Sequence, residues 1–309
     1  IRMRASQPSL RPPLQASCCE MHARDHLVHK MATTSKTTLA DWLAAEPFHL
    51  SLSSSFFGMP AHAGFLQALL DAGLEPASVA GSSAGALVGT LWAAGLSVET
   101  MKAALEAAFA ESADVLRVAV PWRRDGLPPE FGGVFSSAAT KRVVQSILDA
   151  HPRAATRLEH CRVPAAVSVF DVGRLKTVVV REGPISDALS ATMCVPGMFA
   201  PSVLADGRVA LDGGVGDLSG LRALDHDART LYHHCSVAPL SSTRAPAYRR
   251  AVAVNIAGLP FLHPLNIERR GESSYDASRQ ATRALLRRPR AVDNEARGRV
   301  QYLRARARL

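Results

Sequence analysis

The chain has 309 residues, of which 47% are hydrophobic and 20% charged, proportions of a soluble globular protein with a sizeable core. They exclude wholesale disorder, a collagen-like repeat and a disulfide miniprotein, and the most apolar uncharged stretch, Pro76–Val98, is broken by Ser and Gly short of the ~20 apolar residues a spanning helix needs. The formal charge of +9 sits at the ends: residues 266–309 hold twelve arginines against five acids, residues 1–30 hold five bases against two, and the middle is near neutral. Such basic ends either solvate as weakly ordered tails or touch phosphates of nucleic acid or anionic lipid; with the middle near neutral, peripheral contact with anionic membrane is the partner expected and nucleic acid is not. The five cysteines, Cys18, Cys19, Cys161, Cys194 and Cys235, are odd in number and show no C-x-x-C spacing. They point to a reduced, intracellular chain without disulfides or a structural zinc. A cytoplasmic or peripheral-membrane location is expected, and organelle import stays open because residues 1–30 are basic and acid-poor.

Taken in chain order, ordered structure is expected to begin near Thr38, with a short helix over Leu39–Glu46 and a strand over Phe48–Leu52. A small-residue loop, Ser53-Ser54-Ser55-Phe56-Phe57-Gly58, leads to a helix carrying Phe65, Leu66, Leu69 and Leu70 and stopped by Gly73. A strand over Ser78–Ala80 runs into Gly81-Ser82-Ser83-Ala84-Gly85, then an apolar helix to about Ala94, then a third helix capped by Ser97. Residues 120–133 have loop composition, rich in Pro and Gly. Beyond them a helix is expected over Lys141–Leu148, a strand pair over Ala165–Phe170 and Leu175–Val180, and a helix over Ile185–Met193. A hairpin turning at Asp206-Gly207 follows, and a late buried strand over Ala251–Ile256. Past about Leu265 the strand signals stop and only Arg-rich helical or disordered sequence remains. Strands alternating with helices predict a layered α/β domain with a largely parallel sheet.

The sharpest motif is Gly81-Ser82-Ser83-Ala84-Gly85, a G-x-S-x-G pattern set between a β-like run and a helix. A serine on a tight strand-to-helix turn needs glycines two residues to either side, because a Cβ there would meet the turn. It also stands at a helix N-terminus, where backbone N–H groups face a developing oxyanion. The alternative is a glycine-flanked cap of a buried helix with no chemistry. A serine nucleophile needs a base from elsewhere. Asp206-Gly207 reads as a hairpin turn, whereas Asp212-Gly213-Gly214 closes the strand Arg208–Leu211 and leaves its carboxylate facing a neighbouring loop. In isolation this too is consistent with a plain turn.

With these pieces in order, the chain resembles the patatin-like phospholipase family. The resemblance rests on Gly81-Ser82-Ser83-Ala84-Gly85, Asp212-Gly213-Gly214, His62-Ala63-Gly64 and the stretch Cys194-Val195-Pro196-Gly197-Met198-Phe199-Ala200-Pro201, and covers about Phe48 to Ile256. It implies a three-layer α/β/α sandwich with a central, mostly parallel sheet. It implies a Ser–Asp dyad acting on acyl esters of phospholipids or other glycerolipids through an acyl-enzyme, with no cofactor. Carried over by position, Ser83 is the nucleophile, Asp212 the base, Gly81 and Gly85 the elbow glycines, and Ser55, Phe56, Phe57 and Gly58 the oxyanion loop. The expected organisation is a basic segment over 1–37, an acyl-hydrolase domain over 38–262 and an Arg-rich tail over 263–309.

The departure lies in the oxyanion loop, glycine-rich in the family and reduced here to Gly58, with serines at 53–55. If position 55 needs positive φ, its serine is strained by roughly 1–2 kcal/mol. A catalytically weak or silent lipid-binding relative is therefore the alternative, beside a general carboxylesterase. A Ser–Asp–His triad through His226, His233 or His234 is formally open; His233 and His234 read better as strand or strand-edge packing, and His62 as a hydrogen-bonding prop near the loop. Cys194 has nothing nearby to lower its pKa. Neither metal-ligand nor phosphate-loop spacing occurs. Trp122-Arg123-Arg124 reads as a membrane-facing rim or an ordinary exposed loop.

Overall fold

Thr38 opens the first helix with a reciprocal cap: its hydroxyl accepts from the Asp41 N–H at 3.0 Å and donates to Asp41 Oδ2 at 2.6 Å. The computed structural model describes residues 37–118, 133–235, 248, 250–263, 266–289, 292 and 300–307. In chain order the elements are α1 (Leu39–Ala44), β1 (His49–Leu52), α2 (Met59–Asp71), β2 (Ser78–Ser82), α3 (Ala84–Ala93), α4 (Val98–Val118) and β3 (Gly133–Phe135). They continue with α5 (Ser137–Asp149), β4 (Ala165–Asp171), β5 (Lys176–Val180), α6 (Ile185–Thr192), β6 (Gly197–Phe199), β7 (Ser202–Val203) and β8 (Val209–Leu211). Last come β9 (Thr230–His234), β10 (Ala251–Ala257), α7 (Ile267–Leu286) and β11 (Gln301–Arg306). Most of the loop expected over 120–133 lies outside the described residues, as do Trp122-Arg123-Arg124 and residues 1–36.

The main sheet runs β11-β10-β9-β1-β2-β4-β8-β7, with β5 also on β4. From β11 to β4 every pairing is parallel. The protein is thus a mixed α/β fold around a central, mostly parallel sheet, as the alternation of strands and helices predicts. Strand order reverses at β1, with β2 and β4 on one side and β9 to β11 on the other. Ligand crevices of open α/β sheets form at the carboxyl ends of the strands beside such a reversal.

The antiparallel additions set the site. Val167 and Ser168 of β4 pair with both β2 and β5, so those strands lie on opposite edges of β4. Phe170 and Asp171 pair with both β5 and β8, so β8 lies on the edge that β2 occupies. It runs antiparallel to β4, whereas β2 runs parallel to it. The two strands therefore approach head-on along one edge, and their carboxyl ends converge. Ser83 follows one and Asp212 the other.

Helix α3 is apolar all round and every one of its ten residues is buried, the pattern of a core helix. Its Leu87, Val88 and Leu91 join Leu50 and Leu52 of β1, Val79 of β2 and Phe65 of α2 in the main core.

The C-terminal region departs from the expectation of an Arg-rich tail without strands. Helix α7 buries Tyr275, Leu285 and Leu286 in the core. It crosses α2 so closely that a Cβ on Gly64 would lie 2.2 Å from the Tyr275 carbonyl oxygen. Arg279 and Arg283 both pair with Asp71 of α2, at 2.8 and 2.7 Å, and hold its carboxyl down at about 2. Strand β11 pairs in parallel with β10. Its Leu303 and Ala305 pack on the core between outward-facing Arg304 and Arg306, and such charges suit an edge strand. His233 and His234 lie on β9, which is an interior strand and not an edge.

Candidate active site

Gly81-Ser82-Ser83-Ala84-Gly85 forms a strained turn between β2 and α3. Ser83 has φ 52° and ψ −125°, a conformation rare outside glycine. The flanking glycines are steric necessities. A Cβ on Gly81 would lie 2.5 Å from the Ala86 nitrogen, and one on Gly85 would lie 2.3 Å from the Leu52 carbonyl oxygen. Gly220, at φ 71°, presses on Gly81 from the other side, where a Cβ would lie 2.7 Å from its Cα. The Ser83 N–H donates to Thr192 Oγ1 at 2.9 Å, and that hydroxyl donates to the Ser168 carbonyl at 2.7 Å. Thr192, at the end of α6, thus ties the elbow to β4; no motif in the sequence marks it.

Asp212 is buried at the end of β8. Its Oδ1 accepts from the Gly214 N–H at 2.7 Å, and its own N–H donates to the Cys194 carbonyl at 2.9 Å. Both following glycines are required: a Cβ on Gly213 would lie 2.1 Å from the Ser168 carbonyl oxygen, and one on Gly214 would lie 2.6 Å from Ser54 Oγ. Ser83 and Asp212 are brought together. Burial pushes the Asp212 carboxyl up to about 6, opposed by the Ser83 hydroxyl and the Gly214 N–H, which favour the ionised form. Oδ2 makes no hydrogen bond of ordinary geometry. Behind Asp212, the buried Asp217 accepts from Ser168 Oγ and Ser219 Oγ, both at 2.8 Å, and locks the loop that follows.

The loop expected to serve the oxyanion leaves β1 beside the elbow. The N–H groups of Ser53 and Ser54 donate to the carbonyls of His233 and Leu218, at 3.2 and 2.8 Å. Gly58 N–H donates to the Ser55 carbonyl at 2.8 Å, closing a turn over Ser55–Gly58. The expected strain at Ser55 is not there. Positive φ falls on Phe56, at 51°, the second position of the turn, which glycine dominates in type II′ geometry. Ser55 is instead buried with its hydroxyl unbonded. Of the four loop residues expected to serve the oxyanion, Gly58 has its N–H committed within the loop, and Phe56 and Phe57 line the cavity at Ser83.

A buried histidine pair props this loop. His62 Nε2 donates to the Ser53 carbonyl at 2.9 Å. That fixes Nδ1 as an acceptor, bonded at 2.9 Å by His233 Nδ1–H. The His233 ring stacks on Phe65 at 4.0 Å. Burial lowers His62 to about 3, and His233 is lowered well below its ordinary value by burial and its histidine neighbours. Both rings are neutral props. His226 stacks on Tyr248 at 4.5 Å, and His234 Nδ1 meets the Tyr232 hydroxyl at 2.8 Å. None of the three triad candidates has Asp212 as a partner. Cys194, buried beside Asp212, has its thiol pushed up to about 12 by burial and by that carboxylate's charge.

Next to Ser83 lies a cavity of about 180 Å³, walled by Phe57, Leu87, Val143, Val144, Met193 and Met198 among others. Its lining is almost wholly apolar. Among the described residues no group of three or more His, Cys, Asp or Glu side chains is placed to hold a metal ion, and no helix is long and apolar enough to cross a membrane.

Uncharacterized NTE family proteins of Mycobacterium bovis and Mycobacterium tuberculosis are 32% identical over 157 residues, which is 51% of this chain and 39% of theirs. The chain thus spans about two fifths of the length of these curated relatives. Among solved structures, VipD from Legionella pneumophila has a TM-score of 0.39 and 13% identity, over 69% of this chain and 50% of that one. The ExoU–SpcU complex from Pseudomonas aeruginosa scores 0.37 with 14% identity, over 76% of this chain and 52% of that one. The family model of patatin-like phospholipases matches residues 50–225, more than half of the chain and a span that holds both the elbow and Asp212. The chain belongs to the patatin-like phospholipase family.

Proposed function

We propose that the chain is a serine acyl hydrolase that cleaves acyl esters of phospholipids or other glycerolipids. The observation that carries this reading is the head-on approach of β2 and β8, which sets a strained Ser83 against a buried, basic Asp212 at the mouth of an apolar cavity.

In this reading Asp212 Oδ2 takes the Ser83 proton as Oγ attacks the ester carbonyl carbon. A carboxyl held near 6 is a far better base than a free one. The oxyanion is met by backbone N–H groups, with Ala84 at the start of α3 and the Ser55–Phe57 segment as the candidate donors. The tetrahedral intermediate collapses to an acyl-enzyme, and the proton on Asp212 passes to the departing alcohol or lysolipid. Water, deprotonated by the same carboxylate, then frees the fatty acid. The acyl chain lies in the apolar cavity throughout, and the exposed Phe56 at its mouth meets the lipid surface. The basic ends of the chain add attraction to anionic membranes.

A second reading, a lipid-binding relative with little or no turnover, draws on the loop, where Ser53, Ser54 and Gly58 spend their N–H groups on other carbonyls. Labelling with a fluorophosphonate separates the two. In the hydrolase, mass spectrometry finds one adduct, on Ser83, lost in Ser83→Ala, and a mixed lipid extract releases free fatty acid. An unlabelled Ser83 together with no fatty-acid release rejects the hydrolase.

A further inference from the structure

A second cavity, of about 340 Å³, lies between α2, α4 and α7, walled by Ala63, Met101, Ile267 and Gly271. Met59 and Leu105 line both this cavity and the one at Ser83. The two chambers are thus neighbours divided by two flexible apolar side chains, one of them a methionine, the most adaptable of core residues.

We propose that the second chamber receives the distal end of a long acyl chain, and that Met59 and Leu105 set the chain length at which it is entered. This rests on the acyl-hydrolase reading for the identity of the ligand. The charges on the rim favour an alkyl end over a carboxylate head. Lys102 is the cation among the lining residues, and it is already held by Glu272 and Glu106 and sits 5.0 Å from the Tyr275 ring centre. Glu106 and Glu268 on the same rim repel an anion. A carboxylate seated here would have to displace a paired glutamate, whereas methylenes need only apolar wall. Each methylene moved from water to such a wall favours binding roughly fourfold, so the second chamber rewards long chains over short ones.

Gly271 gives a clean way to fill the chamber. It borders the second cavity and not the one at Ser83, and a Cβ there would make ordinary contacts, 3.6 Å to Pro60 Cγ and 3.8 Å to Ile267 Cγ1. Leucine also favours the helix that glycine weakens. In Gly271→Leu the ratio of palmitate to butyrate p-nitrophenyl ester turnover falls roughly tenfold, the equivalent of about two methylenes displaced. An unchanged ratio overturns the proposal.

Binding is tested apart from catalysis with Ser83→Ala protein and two photoprobes, hexadecanoic acid bearing a diazirine at its terminal carbon or next to its carboxyl group. The terminal probe should crosslink peptides containing Met101 or Ile267, and lose them in Gly271→Leu. The carboxyl-side probe should crosslink around Val143 and Met193. Terminal-probe adducts confined to the Ser83 chamber, carboxyl-side adducts at Ile267, or no specific labelling each overturn the proposal. If wild-type protein hydrolyses no ester, the hydrolase reading fails while the crosslinking result still decides the chamber.

Discussion

The elbow after β2 and the loop after β1 stand side by side, yet they treat glycine in opposite ways. At the elbow, each glycine of the motif sits where a side chain would enter backbone at 2.5 Å or less. In the loop, serines and phenylalanines occupy the turn, and the cost shows as positive φ on Phe56. The loop is held from behind by the His62–His233 pair and by bonds from the Ser53 and Ser54 N–H groups. Glycine is irreplaceable where backbone meets backbone, and exchangeable where a turn can carry its strain on an exposed side chain.

Substitution along α3 presses this comparison hardest. Gly85→Ala must drive a Cβ into the Leu52 carbonyl at 2.3 Å. It should cost upwards of about 4 kcal/mol or prevent folding. Gly89, one turn on, faces only side-chain carbons at 3.6 Å or beyond. Gly89→Ala should raise stability by about 0.5–1 kcal/mol through helix propensity alone. Urea unfolding of both variants checks this; equal effects would mean that the elbow is not sterically locked.

The elbow was legible in the sequence because its sterics are written as glycines at fixed spacing. The Asp212-Gly213-Gly214 corner was legible for the same reason. What brings the two together was not: β8 docks beyond β2 through two residue pairs with β4, and that pairing is purely tertiary. Thr192 is not legible, because a threonine ending a helix carries no signal. The strain at Phe56 was misplaced onto Ser55, since the loop's composition does not reveal which residue takes the second turn position. Strand β11 was hidden by its arginines, although Leu303, Ala305 and Ala307 alternate with Arg304 and Arg306 in strand period.

Asp212→Asn sharpens the contrast from the acid's side. Burial holds the folded carboxyl above its unfolded value, so the folded chain binds that proton more tightly. The contribution of this carboxyl to stability is therefore fully present below its unfolded pKa of about 4 and is lost as pH rises through about 6. Removing the charge should raise stability at neutral pH by about 1–3 kcal/mol while cutting turnover by roughly 10²–10⁴. A variant less stable than wild type at neutral pH would place Asp212 in a structural role.

His62→Phe tests the prop behind the loop. It leaves the Ser53 carbonyl and His233 Nδ1–H buried without partners, a loss of about 1–3 kcal/mol. In the proposed mechanism the loop serves the transition state, so ester turnover should fall through kcat more than KM. Loss of stability with unchanged kcat would detach the loop from catalysis. The smallest effect belongs to Phe56→Gly, which relieves positive φ and should change stability by no more than about 1 kcal/mol in either direction. A loss well beyond that would show that the turn depends on the phenyl ring.

The pairing of Ser83 with Asp212 is tested most directly by the pH dependence of kcat/KM for a short p-nitrophenyl ester, measured from about pH 4 to 9 on wild type and Asp212→Asn. The structure predicts a rising limb with its midpoint near 6 in wild type. It predicts a fall of roughly 10²–10⁴ in Asp212→Asn, with that limb gone. Wild-type rates and the same limb in Asp212→Asn would contradict it.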